Sequence, residues 1–553
     1  LVPSGELQRT VADDAQHTLP NFRQGDAIVL YERNADTDNV TNKMVFKGNI
    51  DYLNENEICI RLRATQQNSS VLPSDSLYAI EHDAMDTTFR SMYQGLYAFM
   101  SATKERRDLL LSQREPQFDV ALDKQIAEAA DDFTRIALKA KAAKDYFLLV
   151  GPPGTGKTSC ALKKMVETFY KEEGAQILLL SYTNRAVDEI CKALSSIRPE
   201  VDFIRVGSEL SCDENYRDHL IENELATCMR RTEVCERINR CRILVGTVAS
   251  ISGKPELFRL KHFDVAIVDE ATQILEPQLL GILCAKGENG KEGVGKFILI
   301  GDHKQLPAVV LQNTEQSEVY DEALSAVGLK NLKDSLFERL YRTARQHTDA
   351  HRTYDMLCRQ GRMHPEVALF ANQAFYEGRL LPVGLPHQLE DSGNINRLSF
   401  YPSRPEPMGS SAKTNHSEAK IAARLAATVY KEHSEAFDAS RTLGIITPYR
   451  SQIALIKKEI EVLGISELNQ ILIDTVERFQ GSERDVIIYS FCVNYPYQLK
   501  FLSNLTEEDG ILIDRKLNVA LTRARKQMLL TGVPTLLERN PLYKSLLKLI
   551  ESF

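Results

Sequence analysis

Residues 146–158 read YFLLVGPPGTGKT, and this stretch decides the fold. The run at 146–150 is short and apolar, which predicts a buried strand. Residues 159–170 follow the glycines with a helical pattern. A strand, a glycine-rich loop and a helix in this order predict a loop that binds the phosphates of a nucleoside triphosphate.

The loop carries the groups that a triphosphate and its metal ion need. Its glycines let backbone N–H groups close around phosphate oxygens, and the start of the helix adds the positive end of a dipole. Lys157 can reach the β- and γ-phosphates, and the Thr158 hydroxyl can hold Mg²⁺. The predicted nucleotide contacts in this loop are Gly151, Gly154, Thr155, Gly156, Lys157 and Thr158.

The composition is that of a large globular protein with no membrane span. The chain has 553 residues and a net charge of −8, which argues against a general nucleic-acid coat but leaves room for a local basic groove. It contains no apolar run of about 18 residues, so we expect an intracellular location, cytoplasmic in a bacterium and nuclear in a eukaryote. It begins with Leu1 and shows no signal-peptide pattern. We therefore expect a fragment that lacks preceding sequence.

Ten cysteines are scattered along the chain without a C-x-x-C pair. Cys228, Cys235 and Cys241 form the densest group, in a stretch with a helical pattern. Buried free thiols in a reducing compartment are favoured over a metal site there.

The first 118 residues predict three accessory segments. Residues 1–25 are polar and predict a leader or linker. Residues 26–84 show short alternating runs split by Asn, Asp and Gly, which predict a small β-barrel. Residues 85–118 place apolar side chains at helical spacing and predict a stalk of one long helix or a helix pair.

The rest of the chain predicts two α/β domains, at 119–335 and 336–553, with a helical insertion at about 207–241. Apolar strand runs alternate with helical stretches in both, which is typical of parallel sheets with crossover helices. Only the first domain carries a glycine loop, so an NTP cleft closed by the second domain is expected. The predicted strand runs lie at 146–150, 177–180, 243–247, 264–268, 297–301, 443–447, 485–490 and 527–532.

Two motifs in the first domain follow predicted strands. Asp269 and Glu270 come directly after the strand at 264–268, so they belong at the edge of the sheet that carries the glycine loop. Asp269 can complete the Mg²⁺ shell, and Glu270 can orient or deprotonate the attacking water. Gln305 follows the next strand and can sense the γ-phosphate.

Two arginines in the second domain can reach the same phosphates. Arg362 lies in QGRMHP and Arg523 in NVALTRAR. An arginine that arrives when the cleft closes would stabilise the charge of the transferring phosphoryl group.

Eight ordered motifs between residues 151 and 526 resemble those of the superfamily-1B helicases. They are GPPGTGKT, SYTNRAVDEI, VDEATQ, GDHKQLP, QGRMHP, ITPYRSQ, DTVERFQGSERD and NVALTRAR. The chain resembles most the helicase half of the DNA-replication nuclease–helicase family, which trims Okazaki flaps and resects broken ends. That finer likeness lies in VLPSDSLYAIEHD, REPQF and KDYFLLVG. The RNA helicases of nonsense-mediated decay share the core motifs but resemble the accessory segments less.

The resemblance implies two RecA-like domains of the P-loop NTPase fold, with ATP and Mg²⁺ as cofactors. It implies Thr158 and Asp269 as metal ligands, and it places Glu483 near the ribose. The implied catalytic residues are Lys157, Asp269, Glu270, Gln305, Arg362 and Arg523. The implied contacts to the backbone of a single strand are Thr183, Asn184, Thr247, Pro448, Tyr449 and Thr475.

The chain departs from the family pattern at two places. Gly361 stands where the family commonly has a tyrosine that stacks on adenine, which predicts weaker selection among nucleotides. Gln125 is the candidate for the upstream glutamine that reads adenine, at an unusually long distance before the glycine loop. The family's nuclease half is missing from this chain and would be a preceding domain or a partner.

These motifs predict an ATP-dependent translocase on single-stranded DNA, and the resemblance to the family implies that it moves 5′ to 3′. Two alternatives stay open at this point. One is the same motor acting on RNA, and the other is a nucleotide-dependent clamp that does not travel. Intact catalytic motifs argue against the clamp, because a clamp does not need Glu270.

Overall fold

The computed structural model describes residues 5–8, 22, 24–54, 57–64, 68–83, 87–288, 290–310, 312, 314–346, 349–391, 393, 396–407, 411–508 and 510–552. The chain divides into two compact units, Leu1–Arg90 and Ser91–Phe553. Within the described ranges, no helix combines the length and the apolar character that a bilayer crossing requires.

The first unit is built on a five-stranded antiparallel sheet with the strand order β1-β4-β3-β2-β5. Because side chains alternate between the two faces of a strand, Ile28 and Leu30 of β2 share one face with Phe46 and Ile50 of β3, and these four residues form a small core. The strands are β1 (Gly5–Gln8), β2 (Ala27–Glu32), β3 (Val45–Leu53), β4 (Glu57–Leu62) and β5 (Tyr78–His82).

This sheet differs from the predicted barrel in two respects. Strand β1 pairs with β4, although residues 1–25 were predicted as a leader. Strands β1 and β5 form the two edges, and no pairing between them occurs among the described strands, so the sheet is open. The short β1 lies in polar sequence, which is why its alternation gave no strand signal.

The predicted stalk is a helix pair, α1 (Thr87–Met100) and α2 (Lys104–Leu110). Thr103 separates the helices and caps α2, since its hydroxyl accepts a hydrogen bond from the Arg106 backbone N–H at 3.2 Å. The buried Arg106 guanidinium donates to three backbone carbonyls of the following domain. Gly95 lies against the Pro277 carbonyl, where an added Cβ would come within 1.8 Å of the oxygen.

A seven-stranded parallel sheet forms the first α/β domain, with the order β12-β6-β11-β10-β7-β9-β8. Its central strands are apolar throughout because helices cover both faces, giving one buried core on each side. The strands are β6 (Tyr146–Val150), β7 (Ile177–Ser181), β8 (Phe203–Val206), β9 (Ile243–Thr247), β10 (Phe263–Val268), β11 (Val294–Gly301) and β12 (Tyr354–Met356).

The helices of this domain connect the parallel strands. The predicted insertion at 207–241 forms the connection from β8 to β9 and contains α7 and α8. The helices are α3 (Asp123–Ala127), α4 (Asp132–Ala142), α5 (Lys163–Tyr170), α6 (Asn184–Ser195), α7 (Ile221–Glu224), α8 (Arg231–Arg240), α9 (Val248–Ser252), α10 (Glu256–Leu260), α11 (Glu276–Leu283), α12 (Thr314–Ser317), α13 (Glu322–Ala326), α14 (Leu336–Ala344) and α15 (Ala350–Thr353).

The boundary predicted between residues 335 and 336 needs correction. Leu336, Phe337 and Leu340 of α14 are fully buried in a core of the first sheet. Strand β12 then pairs with β6, so the chain leaves the first sheet only after Leu357. A strand of three half-buried residues is too short to show a period, which explains why the sequence pattern missed it.

The second α/β domain is a five-stranded parallel sheet with the order β15-β21-β18-β16-β17. A parallel pair, β13 with β14, and an antiparallel hairpin, β19 with β20, lie outside it. The strands are β13 (Arg359–Gln360), β14 (Leu381–Pro382), β15 (Leu398–Pro402), β16 (Leu443–Ile446), β17 (Leu472–Asp474), β18 (Arg484–Ser490), β19 (Leu505–Glu508), β20 (Ile511–Asp514) and β21 (Ala524–Gly532).

Helices again cover both faces of this sheet. They are α16 (Pro365–Phe375), α17 (Pro386–Leu389), α18 (His416–Glu432), α19 (Arg450–Glu461), α20 (Val476–Phe479), α21 (Leu499–Leu502), α22 (Arg515–Leu521), α23 (Pro534–Leu537) and α24 (Pro541–Glu551). Two parallel α/β sheets of this kind confirm the predicted fold class.

Candidate nucleotide-binding cleft

The glycine loop follows β6 and leads into a helix that starts at Lys157. Gly154 and Gly156 have φ angles of +71° and +75°, which suit glycine and turn the backbone around the loop. The Thr155 hydroxyl closes the turn by donating to the Pro152 carbonyl at 2.7 Å. The loop is therefore preformed.

Lys157 lies against this loop. Its Nζ donates to the Gly151 carbonyl at 2.5 Å, and burial lowers the pKa of the amine. The Gly151 N–H is bound to the Gly301 carbonyl at 2.9 Å. Gly151 thus anchors the loop to β11 and is not among the residues that line the cavity, unlike the other predicted loop contacts.

The two predicted carboxylates stand at the end of β10. The Thr158 hydroxyl donates to Asp269 Oδ2 at 2.5 Å. Asp269 is 1% exposed, and this burial raises its pKa. Glu270 takes a left-handed φ of 53°, and burial together with the charge of Asp269 raises its pKa to about 7. A carboxyl group with this pKa can accept a proton near neutral pH.

The oxygen atoms beside the loop fit Mg²⁺. One hydroxyl and one carboxylate from Thr158 and Asp269 are hard oxygen ligands, and Mg²⁺ commonly binds one or two such groups together with phosphate oxygens and waters. The described residues contain no cluster of three or more His, Cys, Asp or Glu side chains suited to a metal. The cysteines at 228, 235 and 241 form no disulfide; Cys241 is buried, as predicted, whereas Cys228 and Cys235 are only half-buried.

Gln305 lies after β11 and joins both domains. Its Nε2 donates to Asp302 Oδ2 at 2.7 Å, and its Oε1 accepts from Arg523 Nη2 at 3.2 Å. Arg523 lies between α22 and β21 in the second domain. The predicted phosphate sensor and one predicted arginine finger are therefore in direct contact.

Arg523 is held from several sides. It is 2% exposed and donates to the carbonyls of Val519 at 2.9 Å and Ser482 at 3.4 Å. Burial, together with the nearby charge of Arg362, lowers the pKa of Arg523 to about 9. Two guanidinium groups close together repel each other, and an anionic ligand between them would reduce the repulsion.

Arg362 lies beside the glycine loop and is paired with an acid. Its Nε donates to Glu483 Oε2 at 2.5 Å, and Glu483 also lies 3.8 Å from Arg525 Nε. Burial opposes ionisation of Glu483, but Arg362 holds its pKa below the usual range. Glu483, predicted to lie near the ribose, therefore also neutralises an arginine of the cleft.

These groups face one cavity of about 720 Å³ between the two α/β domains. The first domain contributes the loop, the carboxylates and Gln305, and the second contributes the arginines and Glu483. The lining residues that carry charge or a predicted role are Gly154, Thr155, Gly156, Lys157, Thr158, Thr183, Arg185, Glu189, Lys192, Asp269, Glu270, Asp302, Gln305, Gly361, Arg362, Glu477, Glu483, Arg484, Arg523 and Arg525. The cavity has a size typical of sites for small molecules and cofactors.

The space beside Gly361, where the family commonly has a tyrosine, is partly filled by Leu385. A Cβ added at Gly361 would lie 3.2 Å from Leu385 Cδ1 and 3.9 Å from Val383 Cγ2. Leu385 also lines the cavity. Gln125 is exposed on α3 and is not among the lining residues, so the structure does not bring it to the cleft.

The predicted nucleic-acid contacts follow neighbouring strands in each sheet. Thr183 follows β7, and Thr247 is the last residue of its neighbour β9, where it pairs with Ser181. Both threonine hydroxyls cap the helix that follows. Asn184 is the first residue of α6. Thr183 also lines the nucleotide cavity.

The second sheet repeats this arrangement. Pro448 and Tyr449 follow β16, and Thr475 follows its neighbour β17, which pairs with it at Ile446 and Asp474. The Tyr449 hydroxyl accepts from Gln498 Nε2 at 3.1 Å. Each set thus lies at the carboxyl ends of adjacent parallel strands.

Several lining residues were missing from the sequence prediction. Asp302 directly follows a strand, and Arg185 lies in the first turn of the helix after another, so the position that revealed Asp269 was a signal for both. Arg525 lies two residues after Arg523 in the same motif. Leu385 had no such signal, because it comes from a loop far from any recognised motif.

Comparison with known proteins finds similar sequences along most of this chain. One family model, described as an AAA domain, matches residues 127–234 and 223–313, and a second with the same description matches residues 332–535. The DNA replication ATP-dependent helicase/nuclease DNA2 of Bos taurus is 27% identical over 97% of this chain and 50% of its own length. The Homo sapiens protein of that name is 28% identical, over 87% of this chain and 46% of its own.

The chain is similar to the superfamily-1 helicases, and its similarity to the helicase half of DNA2 confirms the predicted resemblance. The relatives are ATP-dependent helicases by name, which supports the predicted enzymatic class and agrees with the cleft. The chain spans about half the length of the curated relatives it matches.

A solved structure of an arterivirus helicase, nonstructural protein 10 in complex with DNA, aligns with this chain at a TM-score of 0.39 and 13% identity. The alignment covers 96% of this chain and 77% of the viral chain. The second family model begins at residue 332, although the structure keeps the residues through Leu357 with the first sheet.

Proposed function

We propose that this chain is an ATP-dependent translocase on single-stranded DNA that moves 5′ to 3′ and hydrolyses ATP in the cleft between its two α/β domains. The observation that carries the proposal is the Gln305–Arg523 contact at 3.2 Å, which joins a γ-phosphate sensor to an arginine of the opposite domain. The DNA substrate is supported by the relatives' printed names.

The chain's own residues account for each part of phosphoryl transfer. The glycine loop and Lys157 bind the phosphates, and Glu270 orients the attacking water and accepts its proton. Arg362 and Arg523 stabilise charge on the transferring group. Mg²⁺, held by Thr158 and Asp269, would supply charge neutralisation on the phosphates.

Closure of the cleft links this chemistry to the strand. The proposed strand contacts lie at the carboxyl ends of β7 and β9 in one sheet and of β16 and β17 in the other. A change in the angle between the domains therefore changes the spacing between the two sets. Contacts of this kind reach phosphates rather than base edges, so binding should be sensitive to salt and tolerant of sequence.

Strand displacement tests the proposal. Duplexes with a 5′ or a 3′ single-stranded tail, in DNA and in RNA, are incubated with ATP and Mg²⁺, with Glu270→Gln as the inactive control. We expect displacement on the 5′-tailed DNA only. Displacement on tailed RNA of equal rate would favour the RNA motor, and ATP hydrolysis without displacement on any duplex would favour the clamp.

A further inference from the structure

Three buried polar side chains connect Gln305 to the second domain. Gln305 Nε2 and the Tyr376 hydroxyl both donate to Asp302 Oδ2, each at 2.7 Å. Asn518 Nδ2 donates to the Tyr376 hydroxyl oxygen at 2.8 Å and to the Lys304 carbonyl at 2.7 Å. Asp302 and Gln305 follow β11 of the first domain, whereas Tyr376 follows α16 and Asn518 lies in α22 of the second. The network therefore crosses the cleft.

The network is shielded from water. Tyr376 is 1% exposed, Asp302 3% and Asn518 0%. Burial and the negative charge of Asp302 raise the pKa of Tyr376 well above its usual value, so the hydroxyl keeps its proton and donates. Hydrogen bonds to a carboxylate are stronger than neutral ones, particularly away from water. The Tyr376–Asp302 bond is therefore a strong contact between the domains.

Asp302 decides how the Gln305 amide is turned. A carboxylate accepts hydrogen bonds only, so it selects the NH₂ end of the amide, and Arg523, which donates only, selects the carbonyl end. An amide has two N–H donors and two lone pairs. In Gln305 one N–H donor and one oxygen lone pair are not used by any described residue. Gln305 also lines the cavity. The amide is thus turned so that it can donate to a phosphate oxygen and accept from a water.

We propose that Tyr376 is a positioning residue for ATP hydrolysis. Its hydroxyl holds Asp302, and Asp302 fixes the orientation of the Gln305 amide in the cleft. Because Tyr376 belongs to the second domain, Gln305 is held in this orientation only while that domain is docked on the first. The inference rests on the proposed ATPase function of the cleft and adds a contact through which docking switches the sensor on.

Tyr376→Phe tests the proposal, because it removes only the hydroxyl. The phosphate loop is untouched, so we expect the KM for ATP to stay within about twofold. The kcat of the ATPase measured with single-stranded DNA should fall about tenfold, the usual effect of losing one hydrogen bond to a charged group. Asn518→Ala, which removes the support of Tyr376, should shift the same parameter in the same direction and serves if Tyr376→Phe does not fold.

The chain offers a matched control in Tyr543. This tyrosine is 1% exposed and its hydroxyl donates to Asp514 Oδ2 at 2.9 Å, so Tyr543→Phe deletes the same bond in the second domain away from Gln305. We expect Tyr543→Phe and Tyr376→Phe to lower the melting temperature by similar amounts, and only Tyr376→Phe to lower kcat. If Tyr376→Phe lowers the melting temperature and leaves kcat unchanged, the residue is structural and the proposal is wrong.

A second comparison separates positioning from a general effect. In a Gln305→Ala background Tyr376→Phe should cause no further loss of kcat, since the group it positions is gone. An equal loss in both backgrounds would overturn the proposal. Failure of the proposed function itself would look different, because Glu270→Gln would then hydrolyse ATP at the rate of the unmodified chain.

Discussion

The two α/β domains of this chain present different groups to the cleft. In the first sheet the carboxyl ends of β6, β10 and β11 carry the phosphate loop, Asp269 with Glu270, and Gln305. In the second domain Arg523 lies just before the amino end of β21 and Arg362 follows β13, and both line the cavity. One domain thus provides the binding loop and the proton acceptor, while the other provides cations for the transition state.

This difference explains why neither domain is sufficient for turnover. The first domain can bind a triphosphate with its own loop and Lys157, but Arg362 and Arg523 belong to the second domain. The second domain has no glycine loop and cannot bind the nucleotide alone. Hydrolysis then depends on docking, and the following predictions test that division of labour.

The largest effect is expected for the first domain. Lys157→Ala and Glu270→Gln should each reduce ATP turnover by at least about 10³-fold, because each removes one part of a positioned phosphoryl-transfer site. Glu270→Gln should still bind ATP, since the loop and Asp269 remain. Turnover and binding of a fluorescent ATP analogue are measured for both. Near-normal hydrolysis by Glu270→Gln would show that another group handles the attacking water.

Next come the arginines of the second domain. Arg362→Lys and Arg523→Lys should each lose most DNA-stimulated turnover, about 10²-fold or more, because lysine lacks the planar fork. Arg523 is buried and bound to two carbonyls, so its replacement should also lower the melting temperature more than that of Arg362. ATPase assays and melting curves check both expectations.

Arg339→Lys is the matched control for these arginines. Arg339 is 1% exposed and pairs with Glu276 at 2.5 Å, and it is not among the residues of the cavity. We expect a lower melting temperature with stimulated turnover largely kept. If the two cleft arginines behave like Arg339, the assignment of fingers to the second domain is wrong.

A smaller effect concerns the base. An aromatic stack contributes about 1–3 kcal/mol in base-binding sites, so a tyrosine at 361 should tighten ATP binding. However, Leu385 lies 3.2 Å from the position of the new Cβ, and it must give way. We expect Gly361→Tyr alone to change the KM for ATP little, and Gly361→Tyr with Leu385→Ala to lower it about tenfold. A lower KM in the single variant would show that Leu385 moves freely.

The smallest effect on turnover is expected for a buried carboxylate of the second domain that is remote from the cleft. Glu418 is 0% exposed, and burial raises its pKa to about 7. A raised folded-state pKa stabilises the fold at low pH, and this contribution is lost as the pH rises from about 4.5 through about 7, by up to about 3 kcal/mol. Glu418→Gln should flatten the dependence of the melting temperature on pH over this window and leave ATP turnover unchanged.

The exposed Glu461→Gln provides the comparison for that measurement. Its melting temperature should follow the pH as the unmodified chain does. If Glu418→Gln and Glu461→Gln respond alike, the Glu418 carboxyl does not ionise differently in the folded and unfolded states.

Much of the cleft was predictable because chemistry and position coincide in the sequence. Residues that follow an apolar strand run lie at the sheet edge, so Asp269, directly after β10, and Gln305, soon after β11, could be placed from local patterns. The same logic identified the strands of both sheets where they are apolar throughout. Arg362 and Arg523 were predicted from the motifs QGRMHP and NVALTRAR.

Long-range contacts could not be predicted in this way. Tyr376 and Asp302 are 74 residues apart, and no local period indicates that they touch. Strand β8 was missed because it contains Arg205, which is 1% exposed and paired with Asp188. A charge inside a strand contradicts the apolar pattern, and only its partner from α6 makes the burial possible.

The bond between the glycine loop and the segment before Arg362 has a mechanical consequence. The Gly361 N–H donates to the Gly154 carbonyl at 2.8 Å, and only residues 357–361 separate β12 of the first sheet from Arg362. A chain of this length spans at most about 20 Å. Opening of the cleft would therefore pivot about this segment, which lies beside the phosphate loop. Arg362 would stay near the pivot throughout the cycle, whereas no equally short connection to the first sheet holds Arg523 among the described residues.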